Sequence, residues 1–329
     1  MSADTSRLGL PRRYGAGCLS IPVPRPGCPA RGACVGVTVE KPASSDDSSA
    51  AGVGSRPRLR PLCLTKRHGT VKTSFMSTEA DEVTKDLIEG MALLASGVPG
   101  GYQERGDGVV LNVIGLASAS TNAVHILEPA ASLTDARRFV ERLQRADLPF
   151  VLRVRPGTPD WVADLAVSSG LERRIEFPIM RMAPAASARA DDGQVIVEVD
   201  PGDADLVGRV TAAFTAGNEV PAGIFDPLVA PAMFDRLEVA VYAALDGDTV
   251  TSVGIRLQVP GAVGVFGVAT PPEHRRRGLG KAITSRVVTD GVAAGARTAF
   301  LGATPMGYGI YERLGFRTVE TWTFHVPGQ

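Results

Sequence analysis

The chain has 329 residues, 44% of them hydrophobic, and a formal net charge of zero. That length suits about two domains with ordinary cores, and no apolar run approaches the ~20 residues needed to span a bilayer. The zero balance hides an asymmetry: residues 1–75 carry a net charge of +8 and the rest −8, and an acidic body makes a poor track for a nucleic-acid backbone.

Residues 1–75 read as a disordered basic tail. Pro22, Pro24, Pro26 and Pro29 recur, residues 44–54 are of low complexity, and no apolar period persists. The basic start is not followed by a continuous apolar core and a small-residue cleavage site, which speaks against a secretory signal. A basic, acid-poor segment could also mimic a transit peptide. The preferred expectation is that Met76 begins the functional part and the tail is dispensable. Cys18, Cys28, Cys34 and Cys63 all lie in the tail. They form no C-x-x-C and have no companion histidine pair, so no metal is expected. The body has no cysteine. That excludes a cysteine nucleophile or disulfide there and suits a reducing cytoplasm.

A first domain is expected over residues 76–183. A helix begins at Glu79 and runs through Val83, Leu87, Met91 and Leu94 until glycines at 97–101 break it. Residues 109–117 read as a strand. Residues 132–145 read as a helix with Leu133, Ala136, Val140 and Leu143 on one face. A strand over 150–155, a short helix over 159–169 ending at Gly170 and a strand over 175–182 follow. Residues 184–193 read as a linker, and 194–329 as a second domain. There the pattern predicts a strand at 195–199 and helices at 204–214 and 226–237. A hairpin of 239–245 and 249–259 around Asp246-Gly247-Asp248 comes next.

The strand-like run 261–269 then meets Pro271-Pro272, and Arg275-Arg276-Arg277-Gly278-Leu279-Gly280 follows. Leu279, Ile283, Val287, Val288 and Val292 carry a helical period from there. A basic, glycine-bearing turn that opens a helix leaves backbone N–H groups unpaired at the positive end of the dipole, a natural seat for phosphate. A P-loop is rejected: Ala282 stands where its hydroxyl belongs and Arg275 where its first glycine belongs. A dinucleotide fingerprint is rejected for want of a third glycine. What remains is R-x-x-G-x-G after a strand. Downstream come a strand at 298–304, a helix at 306–314 ending at Gly315, and Tyr311-Glu312-Arg313-Leu314-Gly315-Phe316.

These two motifs, in this order and spacing, resemble the GNAT superfamily of N-acetyltransferases. The element order β-α-α-β-β-β-α-β-α-β from residue 195 onward is similar to its fold. The resemblance implies an α/β (α+β) architecture with a mixed central sheet flanked by helices. It implies that the sheet splays between the family's fourth and fifth strands, with the pantetheine arm of acetyl-CoA in the gap. Val268, Ala269 and Thr270 then edge that gap, and Arg275, Arg276, Arg277, Gly278, Leu279, Gly280 and Lys281 take the phosphates. The first half repeats the order strand, helix, strand, short helix with glycine, strand, and Ser169-Gly170-Leu171 corresponds to Leu314-Gly315-Phe316. Residues 118–127 hold no R-x-x-G-x-G, and Trp161 and Val162 stand near the tyrosine position. A tandem arrangement with a degenerate N-terminal half that does not bind the cofactor in the usual way is expected.

Acetyl transfer to an amine requires a neutral amine, although a lysine-type amine has a pKa of ~10.4. It also requires a donor for the oxyanion and an acid for the departing thiolate. The resemblance assigns the acid to Tyr311 and the donor to a backbone N–H near Val268. Tyr308, one turn earlier, is a substitute or a pocket-lining residue. No base is evident. Glu219, in the loop 217–223, is either a carboxylate beside the acceptor or a surface charge. Glu273 and His274 read as exposed, Asp226 as a helix start, and His125 receives no role. Thr304 stands where the family often has Asn, so that cofactor contact is either lost or made by the threonine hydroxyl. Gly307 replaces a frequent Ala. The expected activity is acetyl-CoA-dependent transfer of an acetyl group directly to an amine of a small molecule or peptide. The alternative is a non-catalytic acetyl-CoA-binding sensor or interaction module. Three arginines without interleaved aromatics do not make a nucleic-acid site. No membrane partner is expected, and the compartment expected is the cytoplasm.

Overall fold

The computed structural model describes residues 78–183, 193–233 and 236–328; the expectations for the basic tail and for nearly all of the linker lie outside them. The first run of elements is α1 (Glu79–Gly97), β1 (Tyr102–Arg105), β2 (Val109–Val113), β3 (Asn122–Ile126), α2 (Leu133–Arg145), β4 (Val151–Val154), α3 (Trp161–Ser168) and β5 (Arg173–Met182). The second is β6 (Val195–Glu198), α4 (Ala204–Asn218), β7 (Val239–Asp246), β8 (Thr249–Val259), β9 (Ala262–Ala269), α5 (Leu279–Ala293), β10 (Thr298–Gly302), α6 (Pro305–Arg313) and β11 (Arg317–Val326). From α1 and from α4 onward the order is the same: helix, three strands, helix, strand, helix, strand. Local chemistry sets several boundaries. Thr78 and Asp81 form a reciprocal capping box at α1. Ser132 and Asp203 accept from backbone N–H groups in the first turns of α2 and α4.

All the strands lie in one mixed sheet, ordered β1-β2-β3-β4-β11-β5-β10-β9-β8-β7-β6. The last strand of each run crosses to the other run. β5 pairs antiparallel with β10, and β11 pairs antiparallel with both β4 and β5. On one face Leu279, Ile283 and Val287 of α5 pack with Val263, Val265, Ala299, Leu301, Met180 and Met182. On the other face Val83 and Leu87 of α1 pack with Ile179, Phe300 and Trp322. The two faces alternate along each strand because strand side chains alternate.

The helix expected over 226–237 is absent as such. Two 3-10 turns, Asp226–Val229 and Pro231–Met233, stand in part of its place. Pro227 and Pro231 each lack a backbone N–H and disfavour a helical residue before them. The strand expected at 109–117 ends at Val113, and Gly115 has φ +83°. The strand preceding α2 is β3, so its β–α loop is 127–132 rather than within 118–127. Sequence periodicity missed β1, a short polar strand at the sheet edge, and β3, whose run carries Asn122 and His125 at core positions. His125 is fully buried, and Trp322 stands edge-on to its ring at 6.2 Å.

Candidate active site

The sheet contains two parallel neighbours, and they differ. β3 and β4 pair from Ala123↔Val151 to Ile126↔Val154, and the Arg155 N–H extends the ladder to the Ile126 carbonyl at 3.0 Å. β9 and β10 pair only at Thr298↔Ala262, Ala299↔Val263 and Phe300↔Gly264. Beyond Gly264, β9 continues to Ala269 without a ladder to β10. Its backbone groups on that side are therefore open to a ligand. On its other side β9 carries a bulge. The register with β8 runs from Ile255↔Phe266 to Val253↔Ala269, so one extra residue is inserted. Gly267 sits there at φ +55°. A glycine in this conformation is the usual device of such a bulge, which breaks the ladder locally and bends the strand. A lone glycine in a strand pattern was a signal for it in the sequence.

The split opens into a cleft of about 720 Å³ lined by Val268, Thr270, Arg275, Arg276, Gly278 and the start of α5, with Thr304, Met306, Ile310 and Tyr311 opposite. The first intrahelical bond of α5 runs from Ala282 N to Gly278 O at 3.0 Å. The N–H groups of Leu279 and Gly280 accordingly have no intrahelical acceptor. No side chain caps this start, and Gly278 has φ +82°. Arg276, two residues earlier, is a non-glycine residue at φ +65°. Alternating left-handed residues at a helix start form an anion-binding concavity of backbone N–H groups. These N–H groups, the open edge of β9 and the volume between them fit a diphosphate joined to an extended amide-bearing arm, as in coenzyme A.

The three arginines part ways. Arg275 donates Nε to the Thr270 carbonyl at 3.0 Å and Nη2 to the Gly217 carbonyl at 3.2 Å, and pairs with Glu219 at 2.6 Å. Arg277 pairs with Asp246 in the β7–β8 turn at 3.0 Å and does not line the cleft. Arg276 makes no hydrogen bond or ion pair among the described residues, and it lines the cleft. Glu219, the carboxylate considered for the acceptor, is held by Arg275 at the end of α4 with φ +54°. Ala269 is buried, and its carbonyl accepts from Ser252 Oγ at 3.0 Å. Ser252 also shares a 2.9 Å bond with the Thr270 hydroxyl.

Thr304 caps α6, its hydroxyl accepting from Gly307 N at 3.3 Å, and it also borders the cleft. Tyr311 lines the cleft with its ring against Gly307, where a Cβ would stand 2.7 Å from Cε2. The glycine in place of alanine thus makes room for the tyrosine ring. Phe316 meets that ring edge-on at 6.1 Å. Burial pushes the phenol up to about 12, so the proton stays on oxygen at neutral pH. Tyr308 turns the other way: its hydroxyl lies 3.3 Å from Thr318 Oγ1, and it does not line the cleft. Among the described residues that line the cleft there is no Asp or Glu; His274, read from the sequence as exposed, is half-buried and lines it. Among the described residues no group of three His, Cys, Asp or Glu side chains could hold a metal ion, and no helix is long and apolar enough to cross a membrane. The contacts of Arg275 with α4, and the places of Met306 and Ile310, had no signal in the sequence because they join distant segments.

A mixed sheet whose parallel pair splays beside a bulged strand, with an uncapped basic helix start at the split, defines a GNAT-type fold. Residues 240–319 match the family model described as an acetyltransferase (GNAT) domain, so β7 to the start of β11 carry a GNAT domain. A GCN5-related N-acetyltransferase from Kribbella flavida shares the fold with TM-score 0.52 at 18% identity, covering 78% of this chain and 98% of that one. A GCN5-related N-acetyltransferase-like protein from Streptococcus suis aligns with TM-score 0.48 at 13% identity, covering 74% of this chain and 98% of that one. A predicted acetyltransferase from Clostridium acetobutylicum, solved with acetyl-CoA, aligns with TM-score 0.32 at 15% identity over 38% of this chain and 91% of that one. No curated protein matches the chain in sequence.

Proposed function

We propose that the protein is an acetyl-CoA-dependent N-acetyltransferase that transfers the acetyl group directly to an amine of a small molecule or peptide. The observation that carries this reading is the split between β9 and β10, with the Gly278 helix start at one end and Tyr311 at its edge. Bound acetyl-CoA supplies the activated thioester. The backbone of residues 276–281 holds phosphate, with the Arg276 guanidinium beside it. The free backbone of β9 near Val268 orients the arm and presents an N–H to the carbonyl oxygen. The Tyr311 phenol keeps its proton through neutral pH and holds it for the departing sulfur. The body has no cysteine to carry an acetyl group, which supports direct transfer.

The N-terminal run is best read as a degenerate GNAT-like half. Its element order is the same, but β3 and β4 stay zipped. Its β–α loop 127–132 has no glycine or arginine, and Ser132 caps α2 from within. Action on soluble amines in the cytoplasm, without nucleic-acid or membrane partners, completes the proposal. A second reading, acetyl-CoA binding without turnover, is favoured by one observation: among the described residues no carboxylate lines the cleft to serve as base.

The test is calorimetric titration with coenzyme A, then thiol release across a panel of amines. Micromolar binding and turnover of at least one amine are expected. Tyr311→Phe should lower kcat by about 10²- to 10⁴-fold, with the dissociation constant for coenzyme A little changed. Absence of coenzyme A binding at millimolar concentration refutes the proposal. Binding with no turnover of any amine selects the second reading.

A further inference from the structure

The sequence groups Arg275 with its two neighbours as a phosphate ligand, but its guanidinium is already engaged with the protein. Nε and Nη2 serve three acceptors: the carbonyls of Thr270 and Gly217 and the Glu219 carboxylate. Two of its three nitrogens are therefore committed to the protein, and Nη1 alone has no acceptor among the described residues. Those acceptors belong to two segments. Thr270 directly follows the open strand β9, and Gly217 and Glu219 lie in the last turn and at the C-cap of α4. The contact between the segments is close even without the arginine, since a Cβ on Gly217 would stand 2.8 Å from Thr270 N and 2.9 Å from Ala269 Cβ. The α4 terminus also borders the cleft, through Gly217. It leads into a segment with few regular hydrogen bonds, in which Glu219 adopts a left-handed conformation that costs a non-glycine residue of order 1 kcal/mol or more. Such a segment holds its shape only when its surroundings fix it: Val220, Ile224 and Phe225 pack on the core, and among the described residues the Arg275 fork is the side chain that pairs with Gly217 and Glu219.

From this junction we infer that Arg275 is a positioning residue. It fastens the end of α4 and residues 219–225 to the loop that receives the cofactor, so that occupation of the loop orders that side of the cleft. The inference rests on the proposed cofactor reading. Coenzyme A binds to the backbone of residues 276–281 and stiffens the turn. Arg275, whose own backbone leads into that turn, transmits the stiffening to Gly217 and Glu219. The coupling is reciprocal: whatever orders residues 216–225, an acceptor included, tightens coenzyme A binding by the same factor.

The experiment uses the full chain and coenzyme A as the probe. Amide hydrogen exchange is followed in peptides spanning 216–225, with and without ligand, alongside calorimetry. In the wild type, coenzyme A should slow exchange there by about tenfold or more. Arg275→Ala should leave the dissociation constant within about fivefold, the range of a solvated ion pair, while abolishing the added protection. Glu219→Gln should lose part of it. Arg275→Lys, which keeps the charge but not the planar fork, should not restore it. A tenfold or greater loss of coenzyme A affinity in Arg275→Ala that lysine rescues would make Arg275 a phosphate ligand and overturn the inference. So would equal protection in wild type and Arg275→Ala, or no protection in either while coenzyme A binds. If coenzyme A binds neither protein, the proposed function itself fails.

Discussion

At Gly278 and Arg276 two left-handed residues flank a single position, and the loop depends on them unequally. A Cβ built on Gly278 meets nothing within 4 Å. A side chain there would not clash with the protein. It would strain a backbone at φ +82° and fill the space before the exposed N–H groups. Gly278→Val should therefore raise the dissociation constant for coenzyme A by more than about tenfold. Arg276→Ala should raise it by less than about fivefold, since one exposed guanidinium near a phosphate contributes ~0–1 kcal/mol in solvent. The check is a pair of titrations at matched ionic strength, with circular dichroism as a folding control. A larger effect from Arg276→Ala would mean that charge rather than backbone geometry holds the site. Gly280 is different: its Cβ would meet Val268 and Ile310 at 3.7 and 3.8 Å, ordinary contact distances.

At the scale of elements, α1 is held across the sheet by charges as well as by its apolar face. Arg181 of β5 lies 2.8 Å from Glu82 and 3.7 Å from Asp86. Asp86 is only 8% exposed. Burial outweighs the nearby Arg181 and raises its carboxyl from 3.8 to about 6. A folded-state pKa above the unfolded one means that the unfolded chain gives up the proton first as pH rises. Stability falls across the window from about 4 to about 6, and the penalty is complete above it. Asp86→Asn removes that penalty and leaves Arg181 paired with Glu82. The variant should be more stable at pH 7.5 by roughly 1–3 kcal/mol, about two pKa units at most, and no more stable at pH 3.5. Urea midpoints at the two pH values test this. A less stable variant at pH 7.5 would show that Arg181 needs the second carboxylate. The paired strands teach a related lesson. β3 and β4 zip fully where β9 and β10 part, and the same element order thus gives a cleft in only one run.

At the scale of the molecule, the exchanged last strands tie the two runs together. β5 supplies Ile179 and Met180, both fully buried, to the layers that also hold Phe300, Ala299 and Leu301. Without the first run, β10 presents an unpaired edge, and β11 loses both neighbours, β4 and β5. Residues 194–329 expressed alone should aggregate or show no cooperative thermal transition, whereas a chain from Met76 to the end should unfold cooperatively. Soluble, cooperative behaviour of 194–329 alone would show that the exchange is dispensable.

The sequence by itself determined what near neighbours decide. Arg275 to Gly280 announced an anion-binding helix start because a turn, its glycine conformation and the first turn of a helix are settled within a few residues. The segment from Tyr311 to Phe316 likewise announced a helix, its glycine cap and a strand. The helix beginning at Glu79 and its break at Gly97 were local in the same sense. Tertiary structure alone decided the rest. Which strand pairs with which is a choice among segments over a hundred residues apart, and period-two alternation is compatible with many partners. The exchange of β5 and β11, the split that stops at Gly264, and the short strand β3 with His125 in its core could not be read from pattern. The same holds for the arginines. Three identical side chains in a row carry no local label, and only the arrival of Glu219, Asp246 and the end of α4 sends one to the junction, one to the hairpin and one to the cleft.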